Sequence, residues 1–513
     1  MRTDYGRGLY REYELLLTEV EALKTEHKFL RRQALLLERE IEFGKKLAAQ
    51  LEEKVSENEA LKKEILRLNC LLNNDGTNSG LPTSRTPLSK KKTIPNSRMK
   101  SGRKIGGQPG HPQKKLSAFS EEEVTETMTH KPESCPFCGG LPEETGEVIS
   151  KDELDYEVVV IKRRHEFAVC KCRECKKPFH QPIPAGLKED NQYGANVPAL
   201  ALSLMNIGNV SVGKVRKMIH GLSEEEINPS EGYLIKQQKK ASKALESFME
   251  ELRLRCLKLP TLYWDDTVID INATRGCLRF YGDGNIALYK AHRHKNKEGL
   301  DSDDILKLLP AETVVMHDHN KVNYNKDYSF RNIECNVHLL RDLQKTTDNL
   351  SHGWSAELKG LLEKTNSERN AKLIAGADCF EDAYVKDFFR NFDAIMLKAT
   401  EENGADFNKY YGSDERALIN RIFDYKDNYL AWVVNFDLPF SNNLSERSLR
   451  GIKSKMKVSG QFQSEETAGH YASIKSYIET CYRNGINEME ALIRLCRGIP
   501  YTVGEVFGRT DSG

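Results

Sequence analysis

No apolar run in this chain of 513 residues approaches the roughly 18 residues of a membrane span. Met1 to Leu15 is charged and holds no signal-peptide core, so neither a membrane protein nor a secreted one is expected. Asp and Glu are missing from Gly76 to Ser120. Ten basic residues fall in that stretch: Arg85, Lys90, Lys91, Lys92, Arg98, Lys100, Arg103, Lys104, Lys114 and Lys115. The whole chain is +1, and the remainder holds 67 basic against 76 acidic residues, a net charge of −9. Such asymmetry points to a segment that binds a polyanion, not to a uniformly basic protein. Mean hydropathy is −0.60 and 30% of residues are charged, so part of the length is expected in extended helix or linker.

Gly and Pro are also absent from residues 10 to 72, apart from Gly44, and the spacing predicts one long helix. Apolar residues fall at a/d intervals: Tyr13, Leu16, Val20, Leu23, Leu30, Ala34, Leu37 and Ile41, then Ala48, Leu51 and Val55. A second seam, Leu61, Ile65, Leu68 and Leu72, is shifted in phase, which suggests a stutter near Asn58. A dimerising coiled coil is expected, against the alternative of a helix packed on its own chain. Residues 73 to 118 then have linker composition, with too few apolar residues to bury a core.

Twelve Cys are present, and Cys135, Cys138, Cys170, Cys172 and Cys175 fall within 41 residues. In a reducing cytosol such clustering reads as metal ligation. Cys135-Pro136-Phe137-Cys138 is followed by Gly139-Gly140, and 33 residues separate this pair from Cys172-Arg173-Glu174-Cys175. Two Cys-x2-Cys pairs predict a structural zinc ribbon whose four thiolates fill the coordination sphere, with Cys170 and His180 as alternative ligands. Runs such as Tyr156 to Ile161 are β-prone. Val210 to Leu222 and Tyr233 to Leu254 read as helices around Asn228-Pro229-Ser230, either a helix-turn-helix or a plain packed pair.

From residue 259 strands are expected. Leu262 to Ile271 carries Asp265 and Asp266. Gly276 to Gly282 and Ile286 to His292 form a hairpin around Gly282-Asp283-Gly284-Asn285. Thr313 to Met316 ends at His317-Asp318-His319, and Asn332 to Val337 is a further strand. Residues 338 to 437 are mostly helical, and Asn443 to Lys457 opens a last helical stretch that holds Glu446. Hard carboxylate oxygens suit magnesium, and phosphodiester cleavage uses divalent ions on either side of the scissile phosphate. Each carboxylate also has a structural reading: Asp318 could end a strand, and Asn443 with Glu446 three residues on could be a capping box. Strand parity alone does not choose between Asp265 and Asp266. The order of elements is that of a ribonuclease-H-like core.

With these motifs in place the chain resembles the transposases of the insertion-sequence-66 family. The resemblance rests on Gly102 to Pro112 (GRKIGGQPGHP), the two Cys pairs, Asp265-Asp266-Thr267, Cys335-Asn336-Val337-His338 and Asn442 to Arg450 (NNLSERSLR). It implies that Asp265, Asp318 and Glu446 are the catalytic triad and hold Mg2+ or Mn2+. The pattern of Asp, acidic residue and Thr favours Asp265 over Asp266, while His317 and His319 depart from what the family usually shows. Cys335 and His338 are read as a structural clasp between strand and helix. Arg447, Arg450, Lys453, Lys455 and Lys457 follow the Glu and would meet DNA phosphates, as would Lys90, Lys91, Lys92, Arg103 and Lys104 in the basic linker.

The expected architecture is multidomain: a coiled coil over 1–75, a basic linker over 76–124, a zinc ribbon over 125–185 and a helical DNA-binding region over 186–258. An α/β ribonuclease-H-like catalytic domain then spans 259–460 with a helical insertion at about 340–437, before a helical tail over 461–513. The expected function is metal-dependent cleavage and strand transfer at the ends of a mobile element. Zn2+ is the structural cofactor, and double-stranded DNA, a second copy of the chain or more, and accessory transposition proteins are the expected partners, in the nucleoid. The alternative is a catalytically inactive, dimeric zinc-ribbon protein that binds DNA.

Overall fold

The computed structural model describes residues 2–74, 116–184, 186–407 and 409–508. Lys90, Lys91, Lys92, Arg103 and Lys104 lie outside the described residues, as do the rest of positions 75–115. The described chain divides into two units. One comprises the N-terminal helix with 339–366 and 380–426, and the other comprises 116–338, 367–379 and 427–508.

Helix α1, Arg2–Asn73, is a single continuous helix, as its composition predicts. Its seam residues are exposed: Leu16 at 56%, Leu23 at 59% and Leu30 at 54%. Towards its C-terminal end it meets its own unit, where Cys70 is buried with Leu350 and Tyr411. The Cys region holds one short antiparallel ribbon, β1 (Cys170–Lys171) with β2 (Pro178–Phe179). The strand expected at Tyr156 to Ile161 is not formed. Among the described residues no strand pairs with that segment, which is largely exposed.

Next come α2 (Asn196–Asn206), α3 (Val212–Leu222), α4 (Glu231–Ala244) and α5 (Glu246–Cys256). The turn at Asn228 to Ser230 ends in an N-cap, because Ser230 Oγ accepts from Tyr233 N–H at 3.1 Å. The strands are β3 (Thr261–Ile271), β4 (Thr274–Gly282), β5 (Ala287–His292), β6 (Val314–His317) and β7 (Arg331–Glu334), with the short helix α6 (Lys297–Asp301) after β5. They form one sheet in the order β5-β4-β3-β6-β7. The first three are antiparallel, whereas β6 and β7 run parallel to β3. This mixed sheet is the arrangement expected of a ribonuclease-H-like core.

Helices α7 (Asn336–Leu350), α8 (Gly353–Ile374), α9 (Asp382–Asp406), α10 (Gly412–Asp424) and α11 (Lys426–Val434) supply the expected insertion. The chain then returns as α12 (Asn443–Val458), α13 (Glu465–Arg483), α14 (Glu488–Cys496) and α15 (Val503–Phe507).

Strand alternation sorts the sheet's side chains onto two faces. Odd-numbered Ile269 and Ile271 of β3 join Leu278 and Phe280 against Leu449 and Ile452 of α12 and Tyr471 of α13. Even-numbered Leu262 and Trp264 face the other way, onto a core built with Leu202, Leu234, Phe248 and Tyr477. The segment expected as a C-terminal tail is therefore part of the sheet's covering. Thr480 Oγ1 and Ser476 Oγ of α13 accept from the N–H groups of Ala287 and Tyr289 on the edge strand β5, at 3.1 and 2.8 Å. The helices of 196–256 pack into this same core, so the plain packed arrangement holds for them.

A buried ion pair fixes the loop that follows β5. Arg279 of β4 is fully buried and donates to Asp303 at 3.0 Å, to Gly299 O at 2.9 Å and to His294 O at 2.8 Å. Tyr281 Oη donates to the same Asp303 carboxylate at 2.8 Å. Asp303→Ala would leave the guanidinium buried without its counterion, and chemical denaturation is expected to show a loss of about 3–5 kcal/mol. A loss below about 1 kcal/mol would mean that solvent reaches Arg279 once the carboxylate is removed.

In the unit that contains α9 and α10, fully buried Glu415 accepts from Trp354 Nε1 at 2.7 Å and from Asn403 Nδ2 at 2.8 Å. His352 lies between Glu415, at 2.7 Å, and Asp406, at 3.0 Å. Burial opposes the imidazolium, but the hydrogen bonds to Asp406 and Glu415 outweigh it and raise His352 above its ordinary value of 6.5. Its stabilisation is fully present below about pH 6.5 and is lost as the pH climbs through the raised value. Thermal unfolding should therefore come at a lower temperature at about pH 9 than at about pH 6, and His352→Gln should narrow that difference.

Candidate functional site

The parity of β3 separates the two neighbouring aspartates. Asp265 shares the odd-numbered face that α12 covers, and Asp266 points the other way, where its Oδ1 pairs with Lys295 Nζ at 2.6 Å. The parallel register Tyr263↔Met316, continued by two residues, sets Asp265 beside Asp318. The register His317↔Glu334, continued by one, sets Asp318 beside Cys335. Three adjacent strands thus carry Asp265, Asp318 and Cys335 in a row at one end of the sheet.

His317 and His319 do not face this row. His317 Nε2 bonds Asn332 Oδ1 at 2.7 Å, and His319 Nδ1 bonds the buried Glu334 carboxylate at 2.8 Å. The two imidazoles tie β6 to β7 and leave Asp318, between them in sequence, turned to the opposite side.

Helix α12 delivers Glu446. Its N-cap is Asn442, whose side chain donates to Trp264 O of β3 at 2.9 Å and whose N–H donates to Cys335 Sγ at 3.2 Å. Asn443 is the first helical residue, so the capping-box reading fails: Glu446 lies one position too far along to reach the cap. Its side chain is 19% exposed, and Oε1 is buried with no hydrogen-bond partner among the described residues. His338, in the first turn of α7, stands between the carboxylates, with Nδ1 at 3.1 Å from Asp318 and Nε2 at 3.9 Å from Glu446. The sequence singled out His338 only as half of a clasp. Its place among the acids comes from the i, i+3 spacing to Cys335 at the start of a helix.

The electrostatics are those of buried acids crowded around one imidazole. Burial first, then the charge of Asp318, pushes the Asp265 carboxyl up to about 8, against the opposing hydrogen bond from Asp266 N–H. Burial also acts on Asp318, but the bond and charge of His338, with the Asn442 amide, hold it below the ordinary range. For His338 burial opposes the charge, and bonds to Asp318 and Cys335 outweigh it and push the imidazole up to about 11. A divalent ion would remove the mutual repulsion of the carboxylates and satisfy the orphaned Glu446 oxygen. Three hard oxygen donors fit magnesium or manganese.

Arg447, Arg450 and Lys453 are exposed on α12. Lys455 departs from its expected place among them. It is tucked over the rings of Phe462 and Tyr471, at 5.1 and 4.9 Å, and burial brings its amine down to about 8.

Each Cys pair forms a tight knuckle. Gly139 N–H donates to Cys135 O at 2.8 Å, and Lys176 N–H donates to Cys172 O at 3.1 Å, with Gly139 and Lys176 both at positive φ. Backbone N–H groups of Phe137 and Cys138 lower Cys135, and those of Cys175 and Glu174 lower Cys172, a geometry that favours thiolates. The structure does not bring the two pairs together. Among the described residues the His, Cys, Asp or Glu groups gathered closely enough for a metal are those of Asp318, Cys335 and His338.

No curated protein matches the chain significantly. A family model, the transposase IS66 family, matches residues 215–470, which include Asp265, Asp318, Cys335, His338 and Glu446. Through that segment, which contains the whole sheet and the helix that closes its acidic end, the chain belongs to the IS66 transposase family.

Proposed function

We propose that this chain binds the ends of a mobile element and catalyses divalent-metal-dependent DNA cleavage and strand transfer. The observation that carries the reading is the convergence of Asp265, Asp318 and Glu446 from a strand, a strand end and a helix, with a buried Glu446 oxygen left without a hydrogen-bond partner among the described residues. Magnesium or manganese held by these carboxylates would supply an activated water and a stabilised leaving oxygen. The chain's own residues do the positioning. Asp265 and Asp318 occupy neighbouring parallel strands, Asn442 fixes the approach of α12, and His338 orients Asp318. Lys295 and the exposed Arg447, Arg450 and Lys453 offer cations to the DNA backbone. Hydrolysis frees a 3′-hydroxyl, which attacks a target phosphodiester at the same site. Neither step passes through a covalent protein intermediate, so no Ser, Tyr or Cys nucleophile is assigned.

The basic segment with Lys90, Lys91, Lys92, Arg103 and Lys104 adds phosphate contacts in this reading. Cys135, Cys138, Cys172 and Cys175 hold a structural zinc once the two knuckles close on it. The partner along α1 is a second copy of the chain, parallel and in register. With Leu16, Leu23, Leu30, Leu37 and Leu51 at d, and Val20, Ile41 and Val55 among the a positions, the seam suits a two-stranded coil. Parallel pairing sets Glu19 against Lys24, Glu26 against Arg31, Glu40 against Lys45 and Lys54 against Glu59, all of opposite sign.

Two measurements test these readings. With labelled element ends and magnesium, Asp265→Ala and Glu446→Gln should each lower cleavage by about 10²-fold or more while DNA binding persists, and Asp266→Asn should be milder. Greater damage from Asp266→Asn than from Asp265→Asn would shift the ligand by one residue. Retained cleavage in all three variants would place the active site elsewhere, and binding without cleavage by the unaltered chain would leave the inactive DNA-binding alternative. For the coil, sedimentation should show a dimer that Leu23→Lys with Leu30→Lys dissociates; an unchanged mass would remove α1 from the interface.

A further inference from the structure

Cys335 and His338 stand three residues apart where β7 gives way to α7, a spacing that puts both side chains on one side of the first helical turn. Two ligands do not make a metal site. The sheet supplies a third, because β6 and β7 are parallel neighbours and the residue after β6 lies beside the residue after β7. A sulfur, an imidazole nitrogen and a carboxylate oxygen of Cys335, His338 and Asp318 all come within 4.8 Å of one another. With metal–ligand bonds of about 2.0–2.3 Å, modest side-chain shifts bring three such atoms onto one tetrahedral ion. The donors differ in kind from those of the catalytic set. Thiolate and imidazole select zinc, cobalt or cadmium, while magnesium prefers oxygen alone.

We propose that Asp318, Cys335 and His338 form a binding site for a thiophilic divalent cation, zinc foremost, which takes Asp318 from the magnesium set and so opposes catalysis. Binding needs no large movement. The cation replaces the Asp318–His338 contact, and Cys335 and His338 each give up a proton to solvent as they ligate. The Asn442 N–H can remain on the sulfur, since a metal-bound thiolate still accepts hydrogen bonds. Three protein ligands leave a fourth position open for water. The binding itself stands apart from the function proposed above; only the inhibition depends on Asp318 being catalytic.

Cobalt(II) is the probe, because a thiolate bound to it gives a charge-transfer absorption. The full chain carrying Cys135→Ser, Cys138→Ser, Cys170→Ser, Cys172→Ser and Cys175→Ser, which lacks every ribbon thiolate, should take up cobalt at this site with that absorption. Adding Cys335→Ser to it should abolish the band, and adding His338→Gln to it instead should weaken cobalt uptake. Thermal melting of each variant separates a lost ligand from a lost fold, and either ligand variant suffices if the other does not fold. Cobalt uptake and spectrum unchanged by both substitutions would overturn the site. In the cleavage assay, zinc added at fixed magnesium should suppress wild-type activity, and Cys335→Ser should retain a larger fraction of its own zinc-free rate. Equal suppression of both would overturn the antagonism. If no cleavage is found under any condition, the function proposed above fails while the cobalt titration still decides the site.

Discussion

Asn442 joins three parts of the chain that are far apart in sequence. Its side chain donates to a β3 carbonyl, and its N–H donates to the sulfur of Cys335 at the start of α7. The residue is fully buried, so both bonds form where water does not compete. They set the start of α12 against the sheet end that bears Asp265 and Asp318. Glu446 then needs no contact of its own to be in place. It is carried there by one helical turn, with His338 and Arg450 each 3.9 Å from its carboxylate. Loss of the cap would release the helix start and the third acid together.

The acidic end of the sheet is held by competing forces. Burial and like charge push Asp265 towards its neutral form, while His338 keeps Asp318 ionised. The imidazolium acts as a partial internal counterion that reaches towards Glu446 as well. Such an arrangement is tolerable in the folded chain but leaves oxygen atoms poorly satisfied, which is how a site built to receive positive charge differs from a structural ion pair. The Arg279–Asp303 pair shows the contrast. There the charges are matched, the terminal guanidinium nitrogens have acceptors, and the result is a fixed loop.

Much of this was legible in the sequence because it follows from local rules. The long α1, the hairpin of β4 and β5, the strand ending at Asp318 and the helix holding Glu446 each have clear patterning. The choice of Asp265 over Asp266 was not legible from β3 alone. Parity acquires meaning only once α12 is known to cover the odd face. Glu446 as a capping residue was a reasonable local reading that failed by one position, since the cap belongs to Asn442. Tyr156 to Ile161 has strand composition and no partner strand, and composition cannot supply one. Lys455 looked like its basic neighbours until α12 was rolled against Phe462 and Tyr471. The role of His338 emerges from three elements meeting, which no window of sequence displays.

The hydroxyls of Ser476 and Thr480 occupy N–H groups of the outermost strand that would otherwise invite another strand. During synthesis the five strands are complete long before those hydroxyls leave the ribosome. Any product that stops short of α13 therefore carries an open, largely apolar sheet margin with no cover. Such a fragment is a template for association with its own kind. An interrupted copy of the chain would tend towards aggregation and proteolysis.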